Sequence, residues 1–186
     1  FYDGNDWREL SSESTVSKLI SRIIDKKFPH SPRIHNELIN THNPSSSAMS
    51  GLKILISHLF EFHDQEDLNI STRGPEYAIY LNTLKQPGIH VNRSQGWTIS
   101  APENEASNLT EVWSFLESEI TKWRGDAKAV SLLDLEKLLA SEPYGVKNGL
   151  AKVLIFSKLT EHRKELSLYE DGTFTPDIYK DTLERM

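Results

Sequence analysis

The sequence predicts a mostly α-helical chain with two short β-hairpins, laid out as tandem winged-helix-like units over residues 1–102 and 103–186. Three observations predict it. Apolar residues recur at spacings of three and four along most of the chain, the period of a helix with one buried face. Two pairs of short extended runs flank glycine-containing turns, Ser94-Gln95-Gly96 and Asp171-Gly172, the signal of a tight hairpin. The order helices, hairpin, helices, hairpin then occurs twice, although the halves share no clear sequence repeat.

The elements follow in order. Val16, Leu19, Ile20, Ile23, Ile24 and Phe28 give a first helix, with Ser11 or Ser12 as its cap and Pro29 and Pro32 as its stop. A short second helix carries Ile34, Leu38 and Ile39 inward and breaks at Asn43-Pro44. Ser45 or Ser46 opens a third, with Leu52, Leu55, Ile56, Leu59 and Phe60 on its face. The polar stretch 63–67 ends it, and Arg73-Gly74-Pro75 is a loop. Pro75 stands at a favoured first-turn position for a fourth helix with Tyr77, Tyr80, Leu81 and Leu84 inward. The first hairpin pairs 89–91 with 97–99, and 102–107 reads as a linker. Asn108 with Glu111 suggests a capping box for a helix bearing Leu109, Val112, Trp113, Leu116, Ile120 and Trp123, ended by Gly125. Ser131 with Asp134 repeats that pattern before Leu132, Leu135, Leu138 and Leu139, and Pro143-Tyr144-Gly145 is a turn. Residues 148–162 are apolar almost all round between Leu150 and Leu159, which predicts a buried helix. The second hairpin spans 166–175, and Thr175-Pro176 caps a last helix.

Composition narrows the function classes. The 186 residues are 37% hydrophobic and 26% charged, enough to fold as one domain or two small ones sharing a core. The longest apolar run is Val153 to Phe156, far short of the roughly 20 residues a membrane helix needs. There is no cysteine, which excludes disulfides, thiolate zinc sites and a cysteine nucleophile. With no leader segment visible, the simplest compartment is the cytoplasm. The first residue is Phe and the last helical segment runs into Met186, so the chain is expected to be a fragment of a longer protein. Net charge is −6. Residues 1–102 hold 10 Lys+Arg against 11 Asp+Glu, and 103–186 hold 11 against 16, so the second half carries −5 of it. That is not the footprint of a module that grips DNA by bulk charge.

No complete catalytic motif appears. Gly145-Val146-Lys147-Asn148-Gly149 is one residue short of a phosphate-binding loop and lacks the Lys-Ser/Thr that must follow; a turn entering a helix is the better reading. Of seven histidines, the pairs His30/His35 and His58/His63 are five apart, and His35 to His42 crosses a helix end. Two imidazoles on one helical face need three or four, so no metal site is expected. Arg33, His35, Asn36, Glu37 and Asn40 form the densest polar cluster. It is either a contact surface or, the favoured reading, a brace for neighbouring loops. For nucleic acid, the helix before a wing is the usual reader. In the second unit it offers Lys147, Asn148, Lys152, Lys158, Arg163 and Lys164 as DNA-contact candidates. Against that stands the acidic hairpin tip Glu170-Asp171, which repels phosphate, so a solvated strip is favoured. Trp113 and Trp123 are expected in the core.

A string of motifs resembles a segment of the very large P-loop ATPases of bacterial phage-defence islands, the BREX proteins BrxC and PglY among them. It starts with Pro32-Arg33-Ile34-His35-Asn36-Glu37-Leu38-Ile39-Asn40 and Ser45-Ser46. It continues through Leu68-Asn69-Ile70, Pro75-Glu76 with Tyr80 and Leu84, Gly88-Ile89-His90 and Trp97. It ends with Pro143-Tyr144-Gly145-Val146 and 168–176. The resemblance spans about residues 28–186 and contains no Walker motif, so no nucleotide-site residue carries over. It implies a helical, winged-helix-like accessory region following a motor that lies elsewhere, with ATP and Mg bound there and no cofactor bound here. The partners it implies are other domains of the same protein, DNA, other defence-system subunits or a second copy.

Overall fold

The computed structural model describes residues 13–41, 43–126 and 130–175. It is mostly helical, with two separate two-stranded antiparallel sheets. Helix α1 is Glu13–Lys27 and α2 is Ser46–Glu61. Helix α3, Pro75–Tyr80, runs on through a wide turn, Leu81–Lys85. Strands β1, His90–Arg93, and β2, Gly96–Ile99, form the first hairpin. Helices α4, Thr110–Asp126, α5, Leu132–Ala140, and α6, Asn148–Glu161, follow. Strands β3, Leu168–Glu170, and β4, Thr173–Thr175, close the described chain. The expected helix from Pro176, the Ser11/Ser12 cap and His42 fall outside the described residues.

Helix α6 is the axis of the fold. Every residue from Gly149 to Thr160 is buried, and α2, α4, α5 and β2 pack around it. Two of its polar residues there are accommodated locally: the Ser157 and Thr160 hydroxyls donate to the carbonyls of Val153 and Phe156, one turn back. Leu52, Leu55, Ile56 and Leu59 of α2 meet Val153, Leu154, Phe156 and Leu159 of α6 in one apolar cluster, with Leu109, Val112, Trp113 and Leu116 from α4. Residues on both sides of position 102 thus share one core.

Both hairpins have the expected turns. β1 and β2 pair His90 with Ile99 and Arg93 with Gly96; β3 and β4 pair Leu168 with Thr175 across Asp171-Gly172. Asp171 and Gly172 both have positive φ, 48° and 79°, the geometry that favours an Asp-Gly pair. Ser45 caps α2 as expected, its hydroxyl accepting from the Ala48 amide.

Four expectations are corrected. Residues 33–40 do not form a helix; Asn36 Oδ1 accepts from the Leu38 amide, and the Ile39 and Asn40 amides donate to the Asn36 carbonyl. One turn closes there and stops, with Ile34 and Ile39 still buried as expected. Asn108 does not cap α4. It is left-handed, φ 52°, and its side-chain amide donates to the Ser31 carbonyl at 2.8 Å. The 102–107 linker is fastened: it contains a 3₁₀ turn, Glu105–Ser107, and the Glu103 and Asn104 amides donate to the Pro87 carbonyl. On α5 it is Glu136 that is buried while Leu138 faces out.

Gly149 shows how the turn at 36–40 meets α6. A Cβ there would lie 2.7 Å from Ile39 Cβ and 2.9 Å from its carbonyl oxygen, and backbone cannot swing away as a flexible side chain can. Gly149→Ala should therefore lower stability by about 1–3 kcal/mol, the usual cost of overpacking. Urea denaturation midpoints would check it; an unchanged midpoint would mean the two elements are not tightly apposed.

Candidate functional site

Three polar constellations and one apolar one stand out among the described residues. The first lies under the first hairpin. Tyr80, fully buried, places its hydroxyl 2.9 Å from His90 Nδ1 and 3.2 Å from Asp67 Oδ1. His90 Nε2 is 3.0 Å from the His63 carbonyl, and Lys85 Nζ is 2.5 Å from Asp67 Oδ1. A carbonyl can only accept, so His90 carries its proton on Nε2 and leaves Nδ1 as an acceptor, which shares the single Tyr80 proton with the Asp67 carboxylate. The His90 ring also stacks on Trp97, centroids 4.9 Å apart. Burial drives the His90 pKa down to about 4 and the Tyr80 pKa far up. Burial alone would raise Asp67, but the Lys85 ammonium and then the two tyrosine hydroxyls hold it below its usual value.

Asp67, Leu68 and Asn69 are consecutive left-handed residues, φ 48°, 54° and 54°. Each such conformation is strained outside glycine, and persists only where contacts over-determine it. Here they do: Leu68 is buried, its carbonyl bonds His58 Nδ1 at 2.8 Å, and the Asp67 carboxylate is held by Lys85, Tyr80 and Tyr77. These bonds tie turn 66–69, α3 and β1 together.

The second constellation surrounds Lys158 on α6. Its ammonium is 2.6 Å from Glu117 Oε2 and 2.6 Å from Glu161 Oε2, and sits 4.5 Å over the Trp113 ring. His162 Nε2 lies 2.9 Å from Glu117 Oε2. The Lys158 hydrogen bond, with His162 helping, pulls the Glu117 pKa down to about 2 against the effect of burial. Glu117, Glu161 and His162 have ligand atoms near enough to share a metal ion. The Lys158 ammonium already touches both carboxylates, however, and is the cation of this cluster.

The third is the polar turn. Asn36 is buried and its Nδ2 donates to the Ala78 carbonyl at 3.1 Å; Asn40 Nδ2 donates to the Ile34 carbonyl at 2.5 Å. The Arg33 amide donates to the Ser107 carbonyl, and the His35 carbonyl accepts from Asn82. The side chains of Arg33, His35 and Glu37 are exposed. With Asn36, Asn40 and Ser45, His35 and Glu37 line an open groove of about 810 Å³. The two asparagines brace loops while His35 and Glu37 share the groove with them; Arg33 does not line it.

The DNA-contact candidates are dispersed by the fold. Lys152 and Lys158 are only 7% and 3% exposed, and Lys152 pairs with Glu136 at 3.5 Å. Asn148 donates to that same Glu136 at 2.7 Å. Lys147, Arg163 and Lys164 are exposed, the first at one end of α6 and the other two beyond the opposite end. Gly145 to Gly149 is a turn leading into α6, with Gly145 at φ 62°.

The apolar feature was missed by sequence reasoning, which assigns amphipathic stripes to the core. In α1, Ile20, Ile23 and Ile24 are 49%, 41% and 50% exposed. Tyr169 and Phe174, cross-strand partners on the second hairpin with centroids 5.8 Å apart, are also exposed. Apolar residues left outside a core this complete are the kind of signal that marks a contact surface.

Comparison with known proteins finds no matching family model, curated protein or solved structure. No helix among the described residues is long and apolar enough to cross a membrane.

Proposed function

We propose that this chain is a non-catalytic docking module of a larger cytoplasmic machine, packing against protein rather than reading DNA. The observation that carries it is the neutralisation of α6. The helix that would be the reader of a winged-helix-like unit is buried from Gly149 to Thr160, and its two central lysines are committed to carboxylates. A groove-reading helix must present its basic residues to phosphate and base edges. The exposed aliphatic and aromatic residues on α1 and the second hairpin fit protein contact instead.

The motif resemblance supplies the kind of machine: a P-loop ATPase of the phage-defence type, with ATP and Mg bound in its motor and the winged-helix-like units serving as scaffold and coupling. On this reading the partners are other domains of the same protein or neighbouring subunits.

The test is an electrophoretic mobility assay with duplex DNA at low salt, where phosphate contacts are strongest. No shift is expected. A shift that is lost on reversing Lys147, Arg163 and Lys164 to Glu would overturn the reading in favour of a DNA-contact module.

A further inference from the structure

We infer that α1 is a docking helix for a protein partner whose helix or groove has an apolar floor and one acidic wall; this rests on the protein-contact reading above. Helix α1 is attached to the body at its C-terminal end. Lys27 pairs with Glu142 at 3.1 Å, the His30 amide donates to the Pro143 carbonyl, and the Phe28 ring lies against Gly145. Along the rest of the helix the apolar stripe is only partly covered: Val16 and Leu19 are half-buried and Ile20, Ile23 and Ile24 are exposed.

The edges of that stripe differ. Lys18, Arg22 and Lys26 are spaced four apart and form a row on one flank, with Arg22 one turn beyond Leu19 and Lys26 one turn beyond Ile23. All three are exposed, and none has an ion pair among the described residues. The other flank carries Ser17 and Ser21. A one-sided basic row beside β-branched residues is the pattern of a helix that chooses its partner by flanking charge.

Charge complementarity commits the occupant. A second α1 laid against the first offers serine or another basic row to Lys18, Arg22 and Lys26, depending on orientation, and no acidic row. A lipid surface is the weaker fit, because interfacial helices spread basic residues across the polar face, whereas here Asp25 and two serines share it. A protein surface with a row of Glu or Asp beside aliphatic residues satisfies both halves of the pattern.

The experiment uses the whole chain and two labelled synthetic helical peptides with the same leucine stripe, one flanked by glutamates and the other by lysines. Fluorescence anisotropy should show binding of the acidic peptide and not the basic one. Ile20→Ser with Ile23→Ser should weaken it at least roughly tenfold, the scale of a contact hot spot. Lys18→Glu, Arg22→Glu and Lys26→Glu together should exchange the preference, a result that unfolding cannot mimic. Equal binding of both peptides, or of neither, overturns the inference. So does co-sedimentation with phosphatidylserine vesicles without peptide preference, or a dimer in light scattering that the isoleucine substitutions abolish. Any of these with no DNA shift leaves the protein-contact reading standing; a specific DNA shift removes that reading itself.

Discussion

Lowering the pH from 7 to 4 should cost the folded protein about 3 kcal/mol through His90 alone, and His90→Gln should remove most of that dependence. In the folded chain burial holds the His90 pKa down at about 4, against 6.5 for the free side chain. The unfolded state therefore takes up a proton first as pH falls. The contribution of a neutral, buried His90 is fully present above pH 6.5, declines between 6.5 and 4, and is gone below. Two and a half pKa units correspond to about 3 kcal/mol at 1.36 kcal/mol each. Gln can keep both contacts, its amide donating to the His63 carbonyl and its oxygen sharing the Tyr80 proton with Asp67, yet it does not titrate in this range. His63, lowered by burial and by Arg163, adds to the same slope. Glu117, with a pKa near 2, acts only below about pH 4.5. Urea midpoints at pH 7, 5.5 and 4 for both proteins would test this. Equal slopes in the two would show that His90 is not neutral and buried as described.

Lys158→Met should destabilise by about 3 kcal/mol, clearly more than Lys137→Met on the surface of α5. Breaking a buried ion pair from one side strands the remaining charge, typically at 3–5 kcal/mol. The low end applies here because Glu117 and Glu161 are 42% and 26% exposed and water can reach them. Met fills the space of the lysine stem but supplies neither the two charge-assisted bonds nor the cation over Trp113. Lys137, 66% exposed with Asp134 at 3.1 Å, should matter by well under 1 kcal/mol. Without the ammonium the Glu117 pKa should also rise from about 2, which carboxylate NMR titration reads directly. A loss below 1 kcal/mol, or a Glu117 pKa that stays near 2, would contradict the geometry.

Most of the secondary structure was legible from local signals. The Ser45 cap, the start at Pro75, the Asp-Gly turn and the apolar run of α6 each involve residues within a few positions of one another. Errors came where a distant partner competed. Asn108 has the sequence of a cap but bonds the carbonyl of Ser31, far back in the chain. Residues 33–40 have a helical apolar spacing, yet Asn36 spends its side chain on Leu38 and Ala78, which closes a single turn.

The candidate sites were less legible for the same reason. The lysines on α6 look like a surface strip in one dimension. Their exposure depends on Glu117 on α4 and Glu136 on α5, which the fold brings against them. The Tyr80–His90–Asp67 brace has no motif because its members sit on a turn, a helix and a strand. The sequence by itself determined the helical class, the two hairpin turns and the burial of α6, because hydrophobic period and turn chemistry act over a few residues. Only the tertiary structure decided which charges are spent inside the fold and which apolar stripe is left outside it, because both depend on contacts between residues far apart in the chain.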